Sequence, residues 1–131
     1  MDITKTELEV MQVIWSEHPC SAAQIIEKLN EHVNGQDEVS KSWHEKTVKT
    51  LLNRLVKKEA VSFNKDNRRY LYFPLIEMGE YQKAESTNLL DKLFGGKLSP
   101  MVASFASQKK LQKDDVEQLK KLIADWEEDN D

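Results

Sequence analysis

Hydrophobic positions repeat with helical spacing in three consecutive segments at the start of the chain. The first segment begins at Thr4 and the second at Ser21, and each of these residues is followed three positions later by Glu or Gln. This spacing is the capping-box signature of a helix N-terminus. Ser42 and Glu45 repeat the signature at the third segment. The pattern predicts three helices, with a polar connection at residues 36–41 before the third.

The third predicted helix has two chemically different sides. One side carries aliphatic residues at the spacing of a buried helical stripe, namely Val48, Leu51, Leu52, Leu55 and Val56. The other side carries Lys46, Thr47, Lys49, Thr50, Asn53, Arg54, Lys57 and Lys58. Lys and Arg bind phosphates, whereas Arg, Asn and Thr hydrogen-bond to base edges. This side therefore predicts a helix that enters the DNA major groove.

Two short strands follow the third helix. The segments 61–64 and 69–73 flank a polar tip, and the Asp-Asn pair within that tip tolerates the positive φ of a tight turn. Three helices followed by a hairpin with basic residues at its tip, Arg68 among them, is the element order of a winged helix-turn-helix. The predicted core combines the inward side chains of the hairpin with Leu8, Ile14, Ile25, Leu29, Leu51 and Leu55.

The pattern beyond Pro74 is helical again, so the predicted class is mainly α. It divides the chain into a winged-helix domain at residues 1–74 and an all-α domain at residues 75–131. A long helix is expected to end at the Gly pair 95–96, a short helix to follow with Ser99 as its N-cap, and a last helix to cover about residues 113–128.

The apolar faces of these later helices are too narrow to form a core alone. Dimerisation is therefore expected to cover them. The residues assigned to that interface are Leu89, Leu93, Met101, Val102, Phe105, Val116, Leu119, Ile123 and Trp126.

Charge and composition narrow the class of protein. The chain has a net charge of −4, yet residues 41–69 carry nine bases and three acids, for a local net charge of +6. Phosphate binding depends on local Lys and Arg, so this segment favours a nucleic-acid partner. Short apolar runs exclude a transmembrane helix, and the acidic start does not resemble a signal peptide. The single cysteine, Cys20, favours a reducing cytoplasm.

Catalytic and metal sites find little support in the sequence. Cys20 and His18 provide too few ligands for a tetrahedral metal site, and His32 and His44 belong to other helices. No cofactor is predicted. The chain has no glycine-rich phosphate loop, no HExxH and no G-x-S-x-G, so the sequence does not predict an enzyme.

Several side chains allow two interpretations. Trp43 can stack on a nucleotide or anchor the packing, and packing is favoured. Tyr70 and Tyr72 suggest single-strand stacking, but their alternation places them in the wing core or on the wing surface. Arg54 can read a base or clamp a phosphate, and the sequence does not decide between these roles.

Four segments of the chain carry recognisable motifs: TELEVMQVIW, W-x-x-KTVKTLLNRLVKK, RRYLYFP and LLDKLFGGKLSPMVASF. They are similar to the first helix, the recognition helix, the end of the wing and the dimerisation core of one family. The chain thus resembles, over nearly its whole length, the BlaI/MecI family of penicillinase and methicillin-resistance repressors. The resemblance implies a homodimer that reads an inverted repeat and represses transcription. It places DNA contacts at His44, Lys46, Thr47, Thr50, Arg54 and Arg68.

The resemblance also implies inactivation through a membrane-bound sensor protease system, with the scissile bond between Ser104 and Phe105. Ser104 stands where the family often has Asn, Glu45 where Pro is common, and Glu59 where Gly commonly ends the recognition helix. The connection at residues 34–41 is longer than usual. Copper-responsive relatives carry paired cysteines near the C-terminus, which this chain lacks. The operator, the regulated genes and the inducing signal are left open.

Two other functions are compatible with a basic winged helix. One is a protein-interaction adaptor whose basic face docks an acidic partner, since a fold alone does not determine function. The other is non-specific DNA packing. A steep fall of DNA affinity with salt and a strong preference for one palindrome distinguish the repressor from the adaptor, whereas DNA packing shows the salt dependence without the preference.

Overall fold

The computed structural model describes residues 2–34 and 42–130; for residues 32–34 it describes the backbone only. The predicted connection at residues 36–41 and the side chain of His32 lie outside the described residues. The elements are α1 (Lys5–Glu17), α2 (Ala22–Asn34), α3 (Glu45–Lys57), β1 (Val61–Asp66), β2 (Arg69–Pro74), α4 (Met78–Phe94), α5 (Leu98–Ser107) and α6 (Lys113–Asp129). The predicted mainly α class with one antiparallel hairpin is confirmed.

Reciprocal capping boxes start the first two helices. Glu7 N donates to Thr4 Oγ1 at 3.3 Å, and Thr4 N donates to Glu7 Oε1 at 2.8 Å. Gln24 N donates to Ser21 Oγ at 3.2 Å, and Ser21 N donates to Gln24 Oε1 at 2.8 Å. Each pair satisfies two backbone donors that the helix itself leaves unpaired. Both predicted capping boxes are confirmed.

The third helix begins in a different way. Its N-cap is His44, which makes no side-chain capping hydrogen bond, so the capping box predicted for Ser42 is wrong. A side chain of α2 holds the backbone here instead. Trp43 N donates to Asn30 Oδ1 at 2.8 Å, and Asn30 Nδ2 donates to Trp43 O at 3.3 Å. A tertiary contact therefore fixes the entry to α3 and leaves Glu45 free to face along the helix.

The three helices and the hairpin enclose one core. Each helix packs against the other two, and β2 lies against α1 and α2. Five of the six predicted core residues are buried, and Leu8 is half-buried against them. Trp43 packs at the edge of this core, which is the role that the sequence favoured.

The hairpin turns tightly at its tip. Asp66 lies opposite Arg69 in the antiparallel register, so only Asn67 and Arg68 form the turn. Asn67 has a φ of 59°, a left-handed conformation that Asn tolerates better than most residues. The expected positive φ in a tight turn is confirmed at Asn67, whereas Asp66 belongs to β1. The turn carries Arg68 into solvent.

The aromatic residues of the hairpin separate into a buried and an exposed group. Tyr72 is buried, and its backbone pairs with the segment before α2: Cys20 N donates to Tyr72 O at 3.0 Å, and Tyr72 N donates to Cys20 O at 2.7 Å. Tyr70 is exposed, and its ring lies 4.5 Å from that of Phe63 between centroids. Tyr72 thus belongs to the core and Tyr70 to the wing surface, the two locations between which the sequence left the choice open.

The C-terminus of α3 is a Schellman motif occupied by an unusual residue. Glu59 N donates to Val56 O and Ala60 N donates to Leu55 O, both at 3.0 Å, which are the two backbone bonds of that motif. Glu59 stands at the left-handed position with a φ of 62°. Glycine adopts this conformation readily because it has no Cβ.

We expect Glu59→Gly to raise the free energy of unfolding by about 1 kcal/mol. The left-handed conformation costs a residue with a Cβ about 1–2 kcal/mol, and the greater freedom of glycine in the unfolded chain offsets part of that gain. Urea denaturation followed by circular dichroism measures the change. Glu59→Ala is the control because it removes the charge and keeps the Cβ. Equal stability of the two variants would contradict backbone strain at this position.

The chain divides into two compact units between Tyr81 and Gln82, inside α4. The sequence placed the boundary at Pro74. The first unit extends further because Trp15 of α1 holds the segment after β2. Its indole Nε1 donates to Ile76 O at 2.9 Å, and its ring centroid lies 5.8 Å from that of Tyr81.

The second unit consists of short-range helical structure without a core of its own. Every residue of α4, α5 and α6 is described, and none of these helices has a buried residue. Gly95 and Gly96 end α4 with φ values of 60° and 78°, as predicted, and Gly96 N donates to Leu90 O at 3.1 Å. The N-cap predicted at Ser99 is wrong, because Lys97 has the extended capping backbone and Ser99 already lies in the first turn.

Across the described ranges, no helix has the length and apolar character needed to cross a membrane.

Candidate nucleic-acid interface

The third helix buries one side and exposes the other. Four aliphatic residues of α3 are buried, namely Val48, Leu51, Leu52 and Leu55. The side chains predicted to contact DNA are all exposed, namely His44, Lys46, Thr47, Lys49, Thr50, Asn53, Arg54 and Lys57 at α3 and Arg68 at the hairpin tip. The fold therefore presents the whole predicted set to solvent.

Helical geometry orders these exposed residues across the surface. Successive residues are about 100° apart around the axis, so Lys46, Thr50, Asn53 and Lys57 lie along the middle of the exposed side. Thr47 and Arg54 form one flank. Glu45 and Lys49 form the other flank. Glu45 and Lys49 therefore lie beside the row formed by Lys46, Thr50, Asn53 and Lys57.

Most of the basic side chains on this surface have no acidic partner in the described part of the chain. Within the described ranges, no carboxylate lies within ion-pair distance of Lys46, Arg54, Lys57 or Arg68. Arg69 has one long pair, 3.9 Å from Asp66. Unpaired cations in solvent can bind phosphates without first breaking a contact inside the protein.

Lys49 is the exception on α3. Its Nζ lies 2.8 Å from Glu45 Oε1, and both side chains are more than half exposed. The hydrogen bond and charge of Lys49 hold the pKa of the Glu45 carboxyl below its usual range. The same contacts, with the hydrogen bond first, raise the pKa of Lys49. The two residues thus form a closed ion pair on the exposed side of the helix.

Thr50 has a fixed hydroxyl orientation. Its Oγ1 donates to Lys46 O, one turn earlier, at 2.9 Å. The hydroxyl proton is therefore used within the helix, and Thr50 presents to solvent its methyl group and the acceptor capacity of its oxygen. In a major groove this combination fits a thymine methyl group or an exocyclic amino group.

Lys58 does not belong to the cationic side where the sequence placed it. Its Nζ donates to Glu7 Oε1 and to Asp2 O, each at 2.6 Å, so it faces α1. Glu7 is fully buried, and its Oε2 has no hydrogen-bond partner in the described part of the chain. Burial alone raises the pKa of Glu7, but hydrogen bonds from Lys58 and Thr4, together with the charge of Lys58, outweigh burial and lower it.

Two residues that position α3 were missed from the sequence. Asn30 holds the backbone at the start of α3, and Glu7 holds Lys58 at its end. Asn is a poor helix former, so an Asn inside the pattern of α2 was a weak signal of a specific side-chain contact. Glu7 gave no such signal, because its capping role already explained its presence.

The candidate metal ligands have other contacts. His18 Nδ1 lies 3.0 Å from Ile14 O, within hydrogen-bond distance, at the end of α1. Cys20 is buried, and burial, followed by the charge of Glu17, raises the pKa of its thiol to about 11. In the described part of the chain, no group of three or more His, Cys, Asp or Glu side chains is placed to hold a metal ion.

Three helices, a hairpin joined to the segment before α2, and a third helix with an exposed cationic side define a winged helix-turn-helix protein. Residues 3–125 match the family model described as "Penicillinase repressor". The methicillin resistance regulatory protein MecI of Staphylococcus aureus (strain N315) is 31% identical over 122 residues, which are 93% of each chain. The penicillinase repressor of Bacillus licheniformis is 30% identical over 121 residues, covering 92% of this chain and 88% of its own.

One similar solved structure is the monomeric form of Bacillus licheniformis BlaI in complex with the blaP half-operator. It is 33% identical, covers 62% of this chain and 89% of its own, and has a TM-score of 0.48. The family match and the curated relatives extend over nearly the whole chain. This protein belongs to the penicillinase repressor family, which confirms the resemblance found in the sequence.

Proposed function

We propose that this protein is a cytoplasmic transcriptional repressor that binds duplex DNA as a homodimer on a two-fold symmetric operator. The observation that carries the proposal is the exposed basic side of α3, most of whose cations have no acidic partner among the described residues. The names of the relatives, a resistance regulator and a penicillinase repressor, support a regulatory role.

The proposed contacts divide by chemistry. Lys46, Lys49 and Lys57 bind phosphates, together with Arg68 on the wing, and supply most of the affinity and its salt dependence. Thr47, Thr50 and Arg54 meet base edges and supply the sequence preference. Repression then follows because the bound dimer occludes the promoter.

The apolar surface of the second unit supports the homodimer. The residues assigned to the interface remain at least partly exposed within one chain, namely Leu89, Leu93, Met101, Val102, Phe105, Val116, Leu119, Ile123 and Trp126. Helices with no buried residue bury their apolar stripes only against another surface, and a second copy brings the same stripes. The dimer sets the spacing between the two copies of α3.

Proteolytic inactivation is a further part of the proposal. Ser104 and Phe105 lie inside α5, and Ser104 O accepts hydrogen bonds from Ser107 Oγ at 2.9 Å and from Gln108 N at 3.3 Å. A protease that cuts between Ser104 and Phe105 has to act on a locally opened α5. Mass spectrometry of the fragments made in cells that carry the sensor system tests this cleavage position.

Selection of bound sequences from a random duplex pool, at near-physiological salt, tests the proposed function. A two-fold symmetric motif supports a sequence-specific dimeric regulator and identifies the operator. Binding without a motif, removed by salt, contradicts the repressor and favours non-specific DNA packing. A protein that retains no duplex at all is instead an adaptor whose basic side docks an acidic partner.

We expect Arg54→Ala to weaken binding to the selected operator by about 1–3 kcal/mol and to relax discrimination at one base pair of each half-site. Arg54 is exposed on a flank of α3 and has no ion-pair partner in the described ranges. Lys57→Ala is the matched control, because a phosphate contact lowers affinity for operator and scrambled duplex alike. Equal losses on both duplexes for Arg54→Ala would assign Arg54 to a phosphate.

A further inference from the structure

The Glu45–Lys49 pair occupies a position where DNA would meet the protein. Glu45 is the first residue of α3 and the only acidic residue of that helix. Its Oε1 lies 2.8 Å from Lys49 Nζ in an exposed setting. The pair lies on the exposed side of α3, on the flank opposite Thr47 and Arg54. A duplex whose major groove holds the exposed side of α3 brings phosphates close to both flanks of the helix.

We propose that Glu45 competes with DNA phosphates for Lys49 and thereby sets the strength and the salt dependence of DNA binding. The inference rests on the proposed function, because it concerns the same surface. Glu45 then contacts no nucleotide and affects DNA binding mainly through Lys49, the cation with which it pairs.

The competition follows from the exposure of the pair. An exposed Glu and Lys four residues apart on a helix attract each other only weakly, so a phosphate can displace the carboxylate. The displaced carboxylate then stands unpaired beside a phosphate, and like charges repel. Lys46 and Lys57 bind phosphates without this cost, because no carboxylate in the described ranges pairs with them. Lys49 therefore contributes less to DNA binding than its neighbours on α3.

The competition changes how strongly DNA affinity depends on salt concentration. Each phosphate neutralised by a protein cation contributes about −0.9 to the slope of log affinity against log salt. Lys49 contributes little to this slope while Glu45 neutralises it, and contributes fully once Glu45 is uncharged. Competition for Lys49 can be distinguished from a general repulsion between the Glu45 charge and DNA. Only competition requires that the effect of Glu45 on binding depend on the presence of Lys49.

The test is a double-mutant cycle on the full chain, with Glu45→Gln, Lys49→Gln and the pair of changes together. Fluorescence anisotropy measures binding to the selected operator and to a duplex of scrambled sequence over a range of salt concentrations. We expect Glu45→Gln to tighten binding about threefold at low salt and to steepen the slope by about 0.9. In the Lys49→Gln background, the same change should tighten binding by less, because only the repulsion between Glu45 and phosphates is then relieved, and it should leave the slope unchanged.

Glu59→Gln is the matched control, because it removes the same charge just beyond the other end of α3, where Glu59 has no basic partner in the described part of the chain. It should leave the slope unchanged. All of these residues are exposed, so the variants are expected to fold, and thermal melting verifies this.

Three results would overturn the competition. An equal gain in DNA affinity from Glu45→Gln with and without Lys49 would mean that Glu45 simply repels DNA and does not compete for Lys49. An equal gain from Glu59→Gln would lead to the same conclusion, and an unchanged slope in Glu45→Gln would show that Lys49 already reaches a phosphate. In these cases wild-type binding to a selected motif leaves the proposed function intact. A wild-type protein that binds no duplex refutes both proposals.

Discussion

Replacing Ile123 by Asp in α6 is expected to convert the proposed homodimer into a monomer and to weaken operator binding by about 100-fold or more. Ile123 is 58% exposed within one chain and belongs to a stripe that ends at Trp126. In a symmetric dimer the substitution places two carboxylates in the apolar contact. One winged helix then binds its half-site without the second, and the gain from linked binding is lost.

Light scattering measures the mass of the variant, and fluorescence anisotropy measures its affinity for the operator. Ala124→Asp is the control, since it adds the same charge to an exposed position outside the apolar stripe, about 100° around the axis of α6 from Ile123. Ala124→Asp should remain a dimer. If Ile123→Asp is also a dimer with wild-type operator affinity, α6 does not form the interface.

Glu7→Ala is expected to lower the free energy of unfolding by about 3 kcal/mol. The substitution removes the partner of Lys58 and the carboxylate that caps α1 through Thr4 N. Breaking a buried ion pair typically costs 3–5 kcal/mol, and the lower end applies because Lys58 is partly exposed and can turn to water. Urea denaturation measures the loss.

The same variant should change how stability depends on pH. The pKa of folded Glu7 lies below its ordinary value of 4.5, so the unfolded chain binds its proton first as the pH falls. The stabilisation by Glu7 is therefore complete above about pH 4.5 and is lost as the pH falls through the folded-state pKa. The difference between wild type and Glu7→Ala should shrink over that range.

Glu9→Ala is the control for Glu7→Ala, since Glu9 is exposed on the same helix, and it should change stability by no more than about 0.5 kcal/mol. A cycle with Lys58→Ala isolates the pair, because the two single changes then cost more in sum than the double change. Additive effects would mean that Glu7 stabilises the fold only through its cap.

Structural features that depend on residues three or four positions apart could be predicted from the sequence. The capping boxes at Thr4 and Ser21 are confirmed, and so are the glycine stop after α4 and the tight turn at Asn67. The two sides of α3 also follow from its spacing alone, because a helix of known phase has a known buried stripe. The family was identifiable for the same reason: its segments are contiguous in the chain.

Contacts between segments that are distant in the chain could not be predicted from the sequence. Ser42 and Glu45 carry the same signature as the two confirmed boxes, but Asn30 holds the backbone between them. Lys58 has the sequence context of a surface lysine, yet its partner Glu7 lies 51 residues away. Spacing along the chain contains no information about which of two possible partners is nearer in the fold. The contacts that orient α3 therefore emerge only from the structure.

The division of α3 into two sides has a consequence for how such proteins diverge. Lys46, Thr47 and Arg54 are exposed, whereas Val48, Leu52 and Leu55 of the same helix are buried. Substitutions there cost the fold little, since exposed positions outside special contacts usually change stability by less than about 0.5 kcal/mol. Under the proposed function, a gene duplicate can therefore acquire a new target site one residue at a time, while Val48, Leu52 and Leu55 keep the scaffold unchanged.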